Sequence, residues 1–137
     1  TYFITYTEVL FMQAEAILQT AGDLAETRQA LIQAVSASLL KNNVLDTGWL
    51  SVFQTMIEQM DKEELLAAVM TQKYIATFMQ PEAFHSWRRT GIPVLTPNPY
   101  GATSEIPRLF PYPSTEEIYN QNTPSGVTIT DRVWWDR

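Results

Sequence analysis

The stretch "HSWRRTGIPVL", residues 85–95, divides the chain into two kinds of sequence. Before it, apolar side chains recur at helical spacing; after Gly91 and Pro93 that period stops. Arg88 and Arg89 stand together behind Trp87, although the chain has only nine basic residues. Two adjacent cations can clamp the carboxylate or phosphate of a ligand. They can also end a helix, because cations offset the carbonyl end of its dipole. Gly91 suits the left-handed position just after the last turn, and Pro93 prevents continuation. The structural reading accounts for more of the stretch and is adopted, with the ligand clamp as the alternative.

Working back from this boundary, Pro81 fits the first turn of a short helix over 82–89. Asp61 and Glu64 form a capping box that opens a helix over 61–79, with Leu65, Leu66, Val69, Met70, Tyr74, Ile75 and Phe78 on its apolar side. Trp49 begins a shorter helix over 49–60, after a loop at 41–48. At the start, Phe3, Tyr6, Leu10, Ala14, Ile17 and Ala21 mark one helical face. Tyr2, Val9, Met12 and Ala16 make a second apolar face, so this helix should be sandwiched between others. Gly22 ends it, and Asp23 with Glu26 opens the next as a capping box, giving a helical hairpin over 2–40 joined by a very short turn.

Working forward, seven of the eight prolines lie between 91 and 137. This segment still carries Phe110, Tyr112, Ile118, Val133, Trp134 and Trp135, too much apolar surface for a free tail. It should form an irregular strap over the helices, so that 1–90 and 91–137 make one domain. The fold expected is mostly α, with tetratricopeptide-like hairpins under a long C-terminal strap.

Composition excludes several functions. The net charge of −6 leaves no basic stripe for nucleic acid phosphates. With no cysteine there is no disulfide, thiolate nucleophile or zinc–thiolate site. His85 is the single histidine, and adjacent Ser86 points about 100° away around a helix, so the two do not form a nucleophile pair. No metal or cofactor is expected. Glu15 lies between alanines on the first helix, where a buried carboxylate needs a cation. A structural ion pair among Glu15, Arg88 and Arg89 is the reading, with Glu8 or the carbonyls of 106–117 as further partners for the arginines. Trp49 and Tyr100 border polar loop segments and are the candidate platforms for stacking a sugar ring.

Three stretches, "EVLFMQAEAILQTAG" (8–22), "QKYIATFMQPEAFHSWRRTGIPVL" (72–95) and "IPRLFPYPSTEEIYN" (106–120), together resemble the C-terminal region of SusD/RagB-type proteins. Leu109 departs from that pattern where a second arginine often follows the first, as does Phe84 where tryptophan is common. The resemblance implies a non-enzymatic, outer-membrane glycan-binding lipoprotein of a polysaccharide-utilisation system. It implies oligosaccharide as ligand, a TonB-dependent, SusC-like transporter as partner for nutrient uptake, and a surface location through a lipid anchor outside this stretch. Thr1 and a first segment that already reads as helix interior point to a C-terminal fragment of a longer protein. Two alternatives remain: a helical module that contacts only the transporter, and a glycoside hydrolase fragment, which requires two facing carboxylates about 5–10 Å apart.

Overall fold

The structure, a computed structural model, describes residues 4–101 and 103–136. Among these residues there are six helices and no strands. In chain order they are α1 (Tyr6–Thr20), α2 (Leu24–Lys41), α3 (Thr47–Glu58), α4 (Lys62–Ala76), α5 (Pro81–Thr90) and α6 (Ser114–Tyr119). The mostly helical architecture is the one expected.

Helix starts follow side-chain chemistry. Thr5 caps α1: its hydroxyl accepts from the Glu8 backbone N–H, and the Glu8 carboxylate accepts from that of Thr5. This reciprocal box places the start later than the expected 2–21, and it occupies Glu8, which is therefore not an arginine partner. Phe3 and Tyr2, assigned to the same helix, lie outside the described residues. Asp61 and Glu64 form a complete box at α4. Asp23 accepts from the Glu26 N–H at 2.9 Å, but among the described residues the Glu26 carboxylate makes no return bond, so α2 has a single cap contact. Asp46 accepts from the Trp49 N–H at 3.0 Å, starting α3 inside the segment expected to be loop.

Ala21, Gly22 and Asp23 turn the chain between α1 and α2, with Gly22 at φ 67°. A link this short brings the two helices back along each other as an antiparallel hairpin. Ala30 and Ala34 on α2 permit close approach to α1, and α4 packs against both helices. Phe11, Leu18, Leu31, Ile57, Leu65, Val69 and Met70 fill the resulting core. Each contributes about 1.5–3 kcal/mol by leaving water. Arg28 ties α3 to α2, donating from Nε to the Ile57 carbonyl (2.9 Å) and from Nη2 to that of Met60 (2.8 Å). Ile57 lies in the last turn of α3, where carbonyls lack the regular i+4 donor, and Met60 lies just beyond the helix end.

Two expectations are corrected here. The second face of α1 is not sandwiched: Val9, Met12 and Ala16 are exposed, as is Tyr6 of the first face, because α2 and α4 both pack on the side of Leu10, Phe11, Ala14 and Leu18. α4 stops at Ala76, and Met79 turns to φ 65°, which leaves Ile75 and Phe78 in solvent. The strap beyond Gly91 is irregular apart from α6, whose two acidic residues in the first turn suit the positive end of its dipole.

Candidate functional site

α5 ends as the sequence implies, with the Gly91 N–H donating to the Trp87 carbonyl at 2.7 Å and φ at 71°. Phe84 and Arg88, four residues apart, share one face of this helix. Arg88 is 6% exposed, and its Nη1 donates to the Arg108 carbonyl in the strap at 2.7 Å. Its guanidinium lies 4.4 Å from the centroid of Phe84 and 4.5 Å from that of Trp135. A cation from the helix is thus held between one ring of the helix and one ring near the chain's end. Arg108 mirrors the arrangement, lying 4.6 Å over Trp87 and pairing with buried Asp136. Phe110 adds an edge-on contact to Phe84 at 5.3 Å. Helix, strap and chain end are clasped by cation–π contacts, which strengthen as water leaves.

Arg89 points to a different side and is 47% exposed at its side chain. Its Nη2 meets Glu15 Oε1 at 2.6 Å. The other oxygen of Glu15 lies 3.9 Å from Lys73 Nζ, which in turn stands 3.0 Å from Glu82 Oε1. Lys73 is 2% exposed at its side chain, so this ammonium survives burial through two carboxylates. Burial pushes the Glu82 carboxyl up. The Ser86 hydrogen bond, the Lys73 hydrogen bond and charge, and the His85 charge outweigh that, so its pKa lies below the usual carboxylate value.

The ion pair assigned to Glu15, Arg88 and Arg89 is therefore divided: Arg89 takes Glu15, and Arg88 takes a strap carbonyl instead. Lys73 is the member that sequence reasoning missed. Its spacing after Val69 and Met70 placed it on the apolar face of α4, a signal that was available. Ser86 is buried with its hydroxyl donating to Glu82, and His85 is exposed, so no nucleophile pair forms.

Arg89 and Glu15 line a cleft of about 600 Å³, with Gln19, Thr90 and Trp134. Trp135 turns inward onto Arg88, and Asp136 is held by Arg108. Trp134, the preceding residue, is left 95% exposed at the cleft wall. A flat aromatic face beside an amide, a hydroxyl and an ion pair suits a ligand with an apolar ring face and hydroxyl edges. The sequence alone reads Trp134 as part of the apolar filling of the strap. What makes it a surface residue is the anchoring of its two successors, which no local pattern reveals.

The two residues expected to stack sugar sit elsewhere. Trp49, in the first turn of α3, lies flat on Phe53 with ring centroids 5.3 Å apart, and neither it nor Tyr100 lines the cleft. Tyr100 is almost wholly exposed in the loop after Pro99. Among the described residues no group of three or more His, Cys, Asp or Glu is placed to hold a metal ion, and no helix is long and apolar enough to cross a membrane.

A SusD-like family model, described as starch-binding associating with outer membrane, matches residues 1–113. No curated protein and no solved structure matches the chain.

Proposed function

Because the chain belongs to the SusD-like family, described as starch-binding and associating with the outer membrane, we propose that it binds oligosaccharide at the bacterial cell surface, without chemical change, for delivery to a TonB-dependent transporter. The observation that carries this reading is the cleft beside Trp134. Its ring face offers stacking, and Gln19, Thr90 and the Arg89–Glu15 pair offer donors and acceptors to hydroxyls. Glu15 and Glu82 are both engaged by cations, an arrangement that favours binding over acid catalysis, where one carboxyl must hold a proton. Trp49 and Tyr100 stand as separate sugar contacts outside the cleft. Residues 1–90 and 91–137 act as one domain in this reading, with attachment to the membrane through a lipid anchor elsewhere in the full-length protein.

Calorimetric titration with maltoheptaose tests the proposal. Trp134→Ala should weaken binding about tenfold, the loss of one well-placed aromatic contact, while its melting temperature stays at the wild-type value. Equal affinity in the variant removes the cleft from the reading. No binding of any polysaccharide by the wild type removes the function. Reducing ends released on incubation, and abolished by Glu15→Gln, would restore the hydrolase alternative. A second reading, contact with the transporter alone, is favoured by Val52 and Met56, which α3 presents to solvent beside Trp49. It predicts transporter capture without any glycan affinity.

A further inference from the structure

Beyond the clasp, the strap folds back on itself and forms a second depression. One wall is Phe110 to Tyr112 and the other is Pro124 to Ile129, with α6 and the turn after it between them. The walls are tied at one end, where the backbone N–H groups of Arg108 and Leu109 both donate to the Ile129 carbonyl, at 2.6 and 2.9 Å. The turn is fixed from within: Thr123 Oγ1 donates to the Glu116 carbonyl at 2.9 Å, and Asn120 Nδ2 to the Glu116 carboxylate at 3.0 Å. On the far wall, Asp131 accepts from the Thr128 N–H at 2.8 Å and from its hydroxyl at 2.9 Å. These bonds hold a hollow of about 350 Å³, inside the range of roughly 300–1,000 Å³ usual for small-ligand sites.

The polar groups divide into two sets. Asn120, Thr123 and Thr128 spend their capacity on the strap's own turns. The side chains of Glu117, Gln121 and Ser125 and the Tyr112 hydroxyl also line the hollow, and among the described residues they make no hydrogen bond to protein. Half-exposed Tyr112 and largely exposed Phe110 add ring faces. A carboxylate, an amide, two hydroxyls and aromatic faces offer acceptors, donors and stacking together. Glu117 is the charged side chain of this lining, and no Lys or Arg belongs to it. An anionic ligand would meet repulsion with no counter-charge.

We propose that this hollow is a second sugar subsite, which takes an uncharged pyranose ring of a glucan and rejects uronate or sulfate groups. The proposal rests on the glycan-binding reading for its ligand class, but on residues separate from the Trp134 cleft. The ring stacks on Tyr112, and its hydroxyls exchange water for Glu117, Gln121 and Ser125. Because the hollow is built from the strap alone, its occupancy does not require the ion network under Arg89.

The test is a titration of the full isotope-labelled chain, followed by amide shifts at Gln121, Ser125 and Gly126 and by the indole N–H of Trp134. Maltoheptaose should shift both sets. Tyr112→Ala should weaken the first about tenfold while leaving the Trp134 curve unchanged. Shifts at the strap residues alone uphold this subsite and remove the cleft. Shifts at Trp134 alone overturn the subsite and leave the cleft standing, and shifts at neither overturn both. Oligogalacturonate should leave the strap residues of the wild type unmoved and shift them in Glu117→Gln. Equal shifts in wild type and variant overturn the charge selection.

Discussion

Arg88 and Arg89 are chemically identical and adjacent, yet burial gives them different roles. Arg88 is enclosed by two rings and holds a strap carbonyl, so Arg88→Ala removes packing and strands a buried acceptor. It should cost about 2–4 kcal/mol in chemical denaturation. Arg88→Lys should recover little, because an ammonium cannot lie flat between rings. Arg89→Ala breaks a half-exposed pair whose carboxylate keeps Lys73 nearby, and should cost about 1 kcal/mol or less. Equal losses at the two positions would contradict the clasp. Glu82 adds a pH dependence. Its folded pKa is depressed, so its contribution is complete above the ordinary glutamate value of 4.5 and is lost as pH falls through the lower folded value. Glu82→Gln should therefore flatten the acid limb of the melting-temperature profile and leave its shape above pH 4.5 unchanged.

At the scale of the element, the caps rank the helices. Asp61 accepts from the N–H groups of Glu63 and Glu64, and Glu64 returns a contact to the Asp61 N–H. Asp23 makes one such bond. Asp61→Ala should lose more than Asp23→Ala, each within about 0.5–2 kcal/mol by thermal melting. Helix existence was legible because period and caps are local: Gly22, Asp61, Gly91 and Pro93 all act where they stand. Helix ends were less so. Thr5 and Asp46 win as caps only once the alternatives compete, and Ala76 ends α4 although Phe78 continues the apolar pattern. The charged network was half legible, since a carboxylate among alanines announces a need for a cation without naming it. The place of Lys73 on the apolar face of α4 was there to be read, but its pairing with Glu15 and the exposure of Trp134 depend on segments far apart in sequence, and spacing carries no record of them.

For the whole molecule, the strap's attachment rests on a few side chains rather than on a broad apolar face. Asp136 is fully buried at its side chain and pairs with Arg108, which lies on Trp87. Asp136→Asn removes one charge of a buried pair, a loss of about 3–5 kcal/mol that falls on the end of the chain. Tryptophan emission should shift to longer wavelength as Trp135 leaves Arg88, with helical circular dichroism unchanged and maltoheptaose affinity reduced at the Trp134 cleft. A coincident loss of helix would mean that strap and helices unfold as a single unit.

The clasp between Arg88 and Arg108 also orders events in time. The α1–α2 hairpin closes across three residues, whereas the clasp joins partners 20 residues apart and reaches onward to Trp135 and Asp136. Local contacts form before distant ones because shorter loops lose less entropy on closing. The strap therefore docks last in folding and opens first in the native state, and amides of 108–136 should exchange with deuterium well before those of α1 and α2. Trp134 rides on this early-opening segment. A ligand held there slows the exchange of the whole strap, so occupancy of the cleft is readable as a rate at residues the ligand never touches.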